Sequence, residues 1–345
     1  MRAMVFKSKE RIELEEIPHP ELTPDSIIVK VMACALCGSD IRNYHSSLRG
    51  GVKSQIMGHE IAGIVVEIGE KVEGYIIGDR VAIAPDVSCG KCYYCERGWV
   101  NLCIDHRMIG THWPGGFAQY ILLPDIILKR GMVHHIPDGL SFTEASISEP
   151  ISSVLASQEN IGISLGDTVA IIGDGPIGCF HLDVARIRGA TKIILIGLKR
   201  LHFAEQFHPD YLIDANNKSP VNEVLNITGG LGVDYCIVAT PVHITQEQGI
   251  EMVRKRGTVV LFGGLPKTNP FNSINANLIH YNELRVMGAF SYQKGHHRLA
   301  LELFSKGKIQ ASKYITKVIP LVDIEKGISS AEKGEVLKVV VDPWI

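Results

Sequence analysis

The chain has 345 residues, 46% of them hydrophobic and 21% charged, the make-up of a soluble globular protein of about two domains. Lys and Arg number 35 against 37 Asp and Glu, for a net charge of −2, so no positive surplus points to nucleic acid or an anionic membrane. No apolar run reaches the length of a membrane span and Met1-Arg2-Ala3-Met4 leads into charge, not a leader's apolar core, so a cytoplasmic chain is expected.

The first part of the chain is strand-rich. Ser26–Val31, Ile61–Ile68 and Arg80–Ala84 are β-branched runs bounded by Gly, Pro and Asp, as short barrel strands are. Between them lie two segments carrying metal-ligand residue types, Cys37-Gly38-Ser39-Asp40 and Gly58-His59-Glu60. A lone Cys or His is ordinarily structural, and the chain has 14 histidines, so neither segment is decisive by itself.

Next comes the strongest signal, Cys89-x2-Cys92-x2-Cys95-x7-Cys103. Short turns of this spacing let four thiolates converge on a tetrahedral zinc. Disulfides between such close cysteines would be strained, and the common iron–sulfur runs are spaced differently. Four thiolates leave zinc no open position, so the lobe Asp86–Asp105 reads as a metal-stapled structural element. Of the other cysteines, Cys34, Cys179 and Cys236 read as small buried apolar residues.

From Thr168 the texture changes. The apolar run Thr168–Ile172, a glycine-rich turn, a helical stretch to Arg188 and a second apolar run Lys192–Ile196 make a βαβ unit, and hence a parallel sheet with a right-handed crossover. The turn, Gly173-Asp174-Gly175-Pro176-Ile177-Gly178, matches G-x-G-x-x-G. Gly173, Gly175 and Gly178 allow a tight turn and close approach of a pyrophosphate; Pro176 and Ile177 begin the helix whose positive end faces it. A ligand-free glycine turn is the bland alternative.

NAD sites usually carry an acid about twenty residues further on. Here Gly197 stands at that place, no acid lies between Lys192 and Arg200, and Lys199-Arg200 follow. The missing carboxylate favours NADP over NAD, with Lys199 or Arg200 pairing a 2′-phosphate; the alternative is a solvated helix start. Strands over Tyr235–Ala239 and Thr258–Phe262 and a helix over Gln246–Lys255 continue the alternation. The last part holds a helix over His297–Ser305 and strands over Val318–Pro320 and Leu337–Val341. The expected domains are 1–150 with 290–345, and 151–289.

The ordered set Cys37-Gly38-Ser39-Asp40, Gly58-His59-Glu60, the four-cysteine lobe, Gly115-Gly116-Phe117-Ala118-Gln119-Tyr120, Glu149-Pro150 and the glycine fingerprint resembles the zinc-containing medium-chain dehydrogenases of the alcohol dehydrogenase superfamily. The resemblance implies an α/β protein: a GroES-like β-barrel catalytic domain and a Rossmann doubly wound parallel sheet. It implies two zincs per subunit, a nicotinamide cofactor, a homodimer or homotetramer, and no nucleic-acid or membrane partner. The catalytic zinc would be held by Cys37 and His59. Ser148-Glu149-Pro150 resembles the sorbitol, polyol-phosphate and threonine dehydrogenase branch, in which Glu60 and Glu149 both lie at the metal, either one as ligand.

Ser39 is placed to relay the proton of a bound hydroxyl, or else is a loop hydroxyl. Arg42, Asn43, Tyr44 and His45 are expected in the pocket wall, and Phe117 and Phe290 resemble the aromatic wall of polyol dehydrogenases. Sorbitol dehydrogenases have an arginine where Ser291 stands, which weakens sorbitol itself. The implied reaction is hydride transfer between a nicotinamide and a secondary alcohol or ketone: a polyol, sugar alcohol or polyol phosphate, or alternatively a simple secondary alcohol or a threonine-type substrate. A catalytically silent nucleotide-binding member and a zinc-ribbon nucleic-acid module are the competing classes. The first would need a lost ligand, and the second a basic surface.

Overall fold

Arg2–Ser8 (β1) and Arg11–Glu16 (β2) pair antiparallel, setting Met4 opposite Leu14 and Phe6 opposite Ile12. Ile27–Ala35 (β3) follows, a β-branched run buried along most of its length, as a central strand demands. Gly38–Tyr44 (α1), Gln55–Ile56 (β4), Glu60–Ile68 (β5), Arg80–Ala84 (β6) and Asp86–Val87 (β7) lead into the cysteine lobe. The lobe contains Tyr93–Glu96 (α2) and returns through Arg107–Met108 (β8). Tyr120–Leu123 (β9), Asp125–Arg130 (α3), Met132–His135 (β10) and Phe142–Ser146 (α4) complete this stretch, the last helix begun by a Ser141–Glu144 capping box. The computed structural model describes residues 1–46, 48 and 52–345.

Ser148–Ile161 (α5) precedes the alternating portion: Thr168–Ile172 (β11), Pro176–Arg188 (α6), Lys192–Gly197 (β12), Leu201–Ala204 (α7), Tyr211–Asp214 (β13), Pro220–Ile227 (α8), Val233–Val238 (β14), His243–Met252 (α9), Val253–Leu261 (β15), Ala276–Tyr281 (α10) and Arg285–Gly288 (β16). Its six strands are all parallel in the order β13-β12-β11-β14-β15-β16. Reversal of order beside β11 is the doubly wound arrangement, which opens a crevice at the strand ends. The helix expected over Gln246–Lys255 is displaced. It ends at Met252, and Val253–Lys255 open β15 because Val253 takes a ladder position beside Val233.

Lys294–Ser305 (α11), Ile315–Pro320 (β17), Ile324–Lys333 (α12) and Lys338–Asp342 (β18) return to the first portion. There β18 adds antiparallel to β3 and parallel to β17, giving the order β10-β6-β5-β3-β18-β17, with β9 also on β3. The chain thus separates into two units, Met1–Ser152 with Tyr292–Ile345, and Ser153–Ser291. Each has its own apolar core. One is built from residues such as Phe6, Ile61, Phe117 and Val341, the other from residues such as Ile172, Ile194, Cys236 and Val259. No helix among the described residues is long and apolar enough to cross a membrane.

Candidate metal and dinucleotide sites

Strand register assembles the first site. Ala35 of β3 lies opposite Glu60 of β5, so Cys37, two residues past the end of β3, meets His59, just ahead of β5. Cys37 caps α1, its N–H donating to Asp40 Oδ2 at 3.0 Å. Gly58 carries φ +86°, and a Cβ there would come within 2.7 Å of Phe117 Cδ1. The Gly115-Gly116-Phe117 segment backs this turn through Gly116 N–H to Gly58 O and Phe117 N–H to Met57 O, which accounts for the motif.

Donor atoms of Cys37, His59 and Glu60 lie within 4.8 Å of one another. His59 Nδ1 is 3.3 Å from Asp40 Oδ1 and its Nε2 is 3.3 Å from Ser39 Oγ. A carboxylate on one ring nitrogen fixes the tautomer and leaves the other for a metal. Burial works against the imidazolium, but Asp40 and Cys37 outweigh it and raise the His59 pKa well above the usual range.

Glu60 is wholly buried and both its oxygens reach Lys338 Nζ, at 2.7 and 2.6 Å. Lys338 also donates to Leu36 O at 3.0 Å, and Glu60 and Cys37 more than offset the burial that would lower its pKa. Glu149, in the first turn of α5, accepts from the buried Tyr292 hydroxyl at 2.7 Å. Burial pushes its pKa up to about 7, with Glu60 adding to the rise. Asp40, Glu60, Glu149 and a thiol thus share one buried region with a single lysine and an imidazole. An excess of buried acid of this kind, with soft and hard donors converging, fits a divalent cation.

The four lobe cysteines also converge. Their sulfurs stand 4.0 Å (Cys89–Cys95), 3.5 Å (Cys92–Cys95) and 3.9 Å (Cys92–Cys103) apart. A tetrahedral zinc with bonds of 2.3 Å would separate them by about 3.8 Å. Backbone N–H donors of Ile104 and Cys95 pull Cys92 down to about 6, stabilising a thiolate before any metal binds. Burial acts the other way on Cys103, pushing it up to about 12.

In the second unit the fingerprint forms the turn from β11 to α6. A Cβ on Gly178 would overlap the Gly173 carbonyl, whereas one on Gly175 would meet nothing within 4 Å, leaving open space where a pyrophosphate would approach. Pro176 and Ile177 form the first turn of α6. Gly197 closes β12, buried, and Lys199 is exposed beyond it. The end of β12 is not without an acid, however. Asp174, reaching from the glycine turn, accepts through Oδ2 from the N–H groups of Leu198, Lys199 and Arg200 at 2.9, 2.9 and 2.6 Å.

Other expected pocket residues are placed differently. Tyr44 donates to Glu325 at 2.9 Å and His45 bridges Glu10 and Glu332, so these two fasten α1 to its neighbours. Phe117 is wholly buried under Gly58, while Phe290 is half exposed. Lys338, Tyr292 and Asp174 were missed as site residues. Lys338 left a readable signal, a lysine in the apolar run Val336–Val341; the others left none.

Family models match twice: an alcohol dehydrogenase GroES-like domain over residues 23–138 and a zinc-binding dehydrogenase domain over 176–306. The chain is 31% identical to a sorbitol dehydrogenase of Bacillus subtilis, covering 99% of this chain and 97% of that one. It is 30% identical to a D-arabitol-phosphate dehydrogenase of Enterococcus avium, over 94% of this chain and 91% of the relative. Among solved structures, a zinc-binding dehydrogenase of Sinorhizobium meliloti bound to NADP superposes with a TM-score of 0.90 at 33% identity, over 99% of each chain.

Proposed function

Because the chain belongs to the zinc-containing medium-chain alcohol dehydrogenase family, we propose that it transfers hydride between a nicotinamide dinucleotide and a secondary alcohol of a polyol, sugar alcohol or polyol phosphate. The observation that carries this reading is the convergence of Cys37, His59 and Glu60 in a chain that also has the doubly wound sheet and its glycine turn. Relatives acting on sorbitol and arabitol phosphate support the substrate class.

Zinc at this site supplies Lewis acidity toward the substrate oxygen, and the nicotinamide supplies or accepts the hydride. The chain's own groups do the rest. Cys37 and His59 hold the metal with Glu60 or Glu149, and Asp40 fixes the His59 ring. Lys338 holds Glu60 in place with its charge balanced. With a dinucleotide bound to take up the hydride, Ser39 would accept the substrate's hydroxyl proton and pass it toward solvent, leaving a ketone. The open space at Gly175 and the N-terminus of α6 would receive the dinucleotide's pyrophosphate.

Two zincs per subunit, with Cys89, Cys92, Cys95 and Cys103 holding the second, belong to the same reading. So does NADP as the preferred dinucleotide, supported by Gly197 and the basic residues Lys199 and Arg200. Thiolate ligands stay reduced in the cytoplasm, where this reading places the chain. The outer edge of β16 pairs with no strand among the described residues, and Phe271, Tyr281 and Phe290 are exposed in the same unit. An unpaired edge in a unit that also exposes apolar side chains suits a second copy of the chain, hence a homodimer, or a homotetramer built from dimers. The test is turnover of a polyol, aldose and sugar-phosphate panel by the zinc-loaded protein with each dinucleotide; failure across the panel with both contradicts the substrate class.

A further inference from the structure

In the alternating unit, Tyr235 of β14, Thr258 of β15 and Arg285 of β16 are ladder partners in one row. Partners across parallel strands point to the same face, so a phenol, a hydroxyl and a guanidinium stand side by side. The row continues to Val169 near the start of β11, whereas the glycine turn follows that strand's other end at Ile172. Just ahead of the row, β15 bulges. Between the pairs Val233–Val253 and Tyr235–Thr258, β14 advances two residues and β15 five. The surplus carries Arg254 and Arg256, and Arg256 takes a left-handed φ of +61° with its N–H held by Asn282 O at 2.7 Å. Such a conformation costs energy outside glycine, and a bulge of this kind re-aims side chains.

With Asp234, these residues line a surface pocket of about 280 Å³. That is below the roughly 300–1,000 Å³ of sites for drug-sized ligands, so it suits a small group. Three guanidiniums and one carboxylate line it, a net charge of +2. Asp234 is already committed, its Oδ1 accepting from Arg254 Nε at 2.6 Å and its Oδ2 from Thr168 N–H at 2.8 Å. Arg254 also gives Nη1 to Lys255 O at 2.8 Å and keeps its Nη2 group. Arg256 meets Glu283 through Nε at 3.4 Å, an exposed pair of little strength. Arg285 is exposed and makes no ion pair or hydrogen bond with a described residue. Thr258 is 4% exposed, and its hydroxyl bonds to no described residue, a costly state for a buried donor that lines a pocket.

We propose that this pocket binds the phosphate group of a small molecule, gripped by the Arg285 fork and the remaining Nη groups of Arg254 and Arg256, with Thr258 donating its hydroxyl. A phosphate dianion matches the net charge of +2, where a carboxylate would leave one charge unmet. Planar guanidinium forks also fit its oxygens in pairs. Free phosphate and a phosphate ester share this chemistry. The site is separate from the dinucleotide's, which lies at the opposite ends of the strands.

The test is calorimetric titration of inorganic phosphate, and separately of glycerol phosphate, into the zinc-loaded chain with NADP and NAD both at saturation, so that the glycine turn is filled. One phosphate group should bind per chain, and more weakly as salt rises. Arg285→Ala should weaken it by about tenfold or more, the scale of one charge-assisted contact, and leave the unfolding midpoint in place because Arg285 has no internal partner. Arg285→Lys, which keeps the charge but not the fork, should recover only part of the loss. Thr258→Val, close in shape, should weaken binding by about threefold. Tighter binding of glycerol phosphate makes an ester the ligand, and equal binding makes it phosphate itself. Absence of binding by both, or binding that Arg285→Ala and Thr258→Val leave unchanged, would overturn the proposal.

Discussion

At the scale of single residues, the first site turns on how buried charges are shared. Lys338 is the only cation bound to Glu60 among the described residues, and both sit in the core. Replacing it by methionine strands a buried carboxylate, a change that typically costs about 3–5 kcal/mol. Lys338→Met should lower the unfolding midpoint by that scale, and Lys338→Met with Glu60→Gln should recover part of it. Equal losses in the single and double variants would show that the pair is not coupled. Cys37→Ala and His59→Ala should abolish turnover yet leave dinucleotide titrations unchanged, since neither residue lies in the nucleotide unit.

The residue scale also shows where sequence reading stops. The converging set Cys37, His59 and Glu60 was legible because metal-ligand chemistry restricts residue type, and the family resemblance supplied the grouping; Glu149 rests on the resemblance alone. Lys338 and Tyr292 act on those residues from 278 and 143 positions away, a proximity that only strand register and helix placement create. Asp174 was hidden for a related reason. The absence of an acid after β12 was read along the chain, while the carboxylate that occupies the place arrives from the preceding turn.

At the scale of elements, the cysteine lobe stands out for how little apolar packing it has of its own. Its helix has only four residues and Trp99, Leu102 and Ile104 remain exposed, so apolar burial contributes little there. On the proposed reading, a zinc held by Cys89, Cys92, Cys95 and Cys103 would supply the missing folding free energy. Cys92→Ser should therefore remove one of two zinc equivalents and open the lobe Asp86–Asp105 to limited proteolysis. Unchanged zinc content and unchanged cleavage would contradict a structural metal. The strands and helices of the alternating sheet were legible from apolar runs and glycine punctuation. The end of α9 was not, because Val253–Lys255 has no helix-stop signal and becomes strand only through pairing with β14.

At the scale of the whole molecule, the fold class follows from texture: β-branched runs early, strand and helix alternation from Thr168. Assembly is a surface property and is less visible in sequence. If β16 is the joining edge, Val286→Lys, which puts charge on its 36% exposed valine, should shift the protein toward monomer in sedimentation. A dimer of undiminished stability would place the interface elsewhere.

The central claim is that one metal site does the chemistry and the other does not. The most direct measurement pairs zinc analysis with formation of reduced nicotinamide from a polyol panel, for the wild type and Cys37→Ala. The account predicts turnover in the wild type with two zincs per chain, and in Cys37→Ala one retained zinc and no turnover. Substantial turnover by Cys37→Ala, or loss of both zincs with that single substitution, would contradict it.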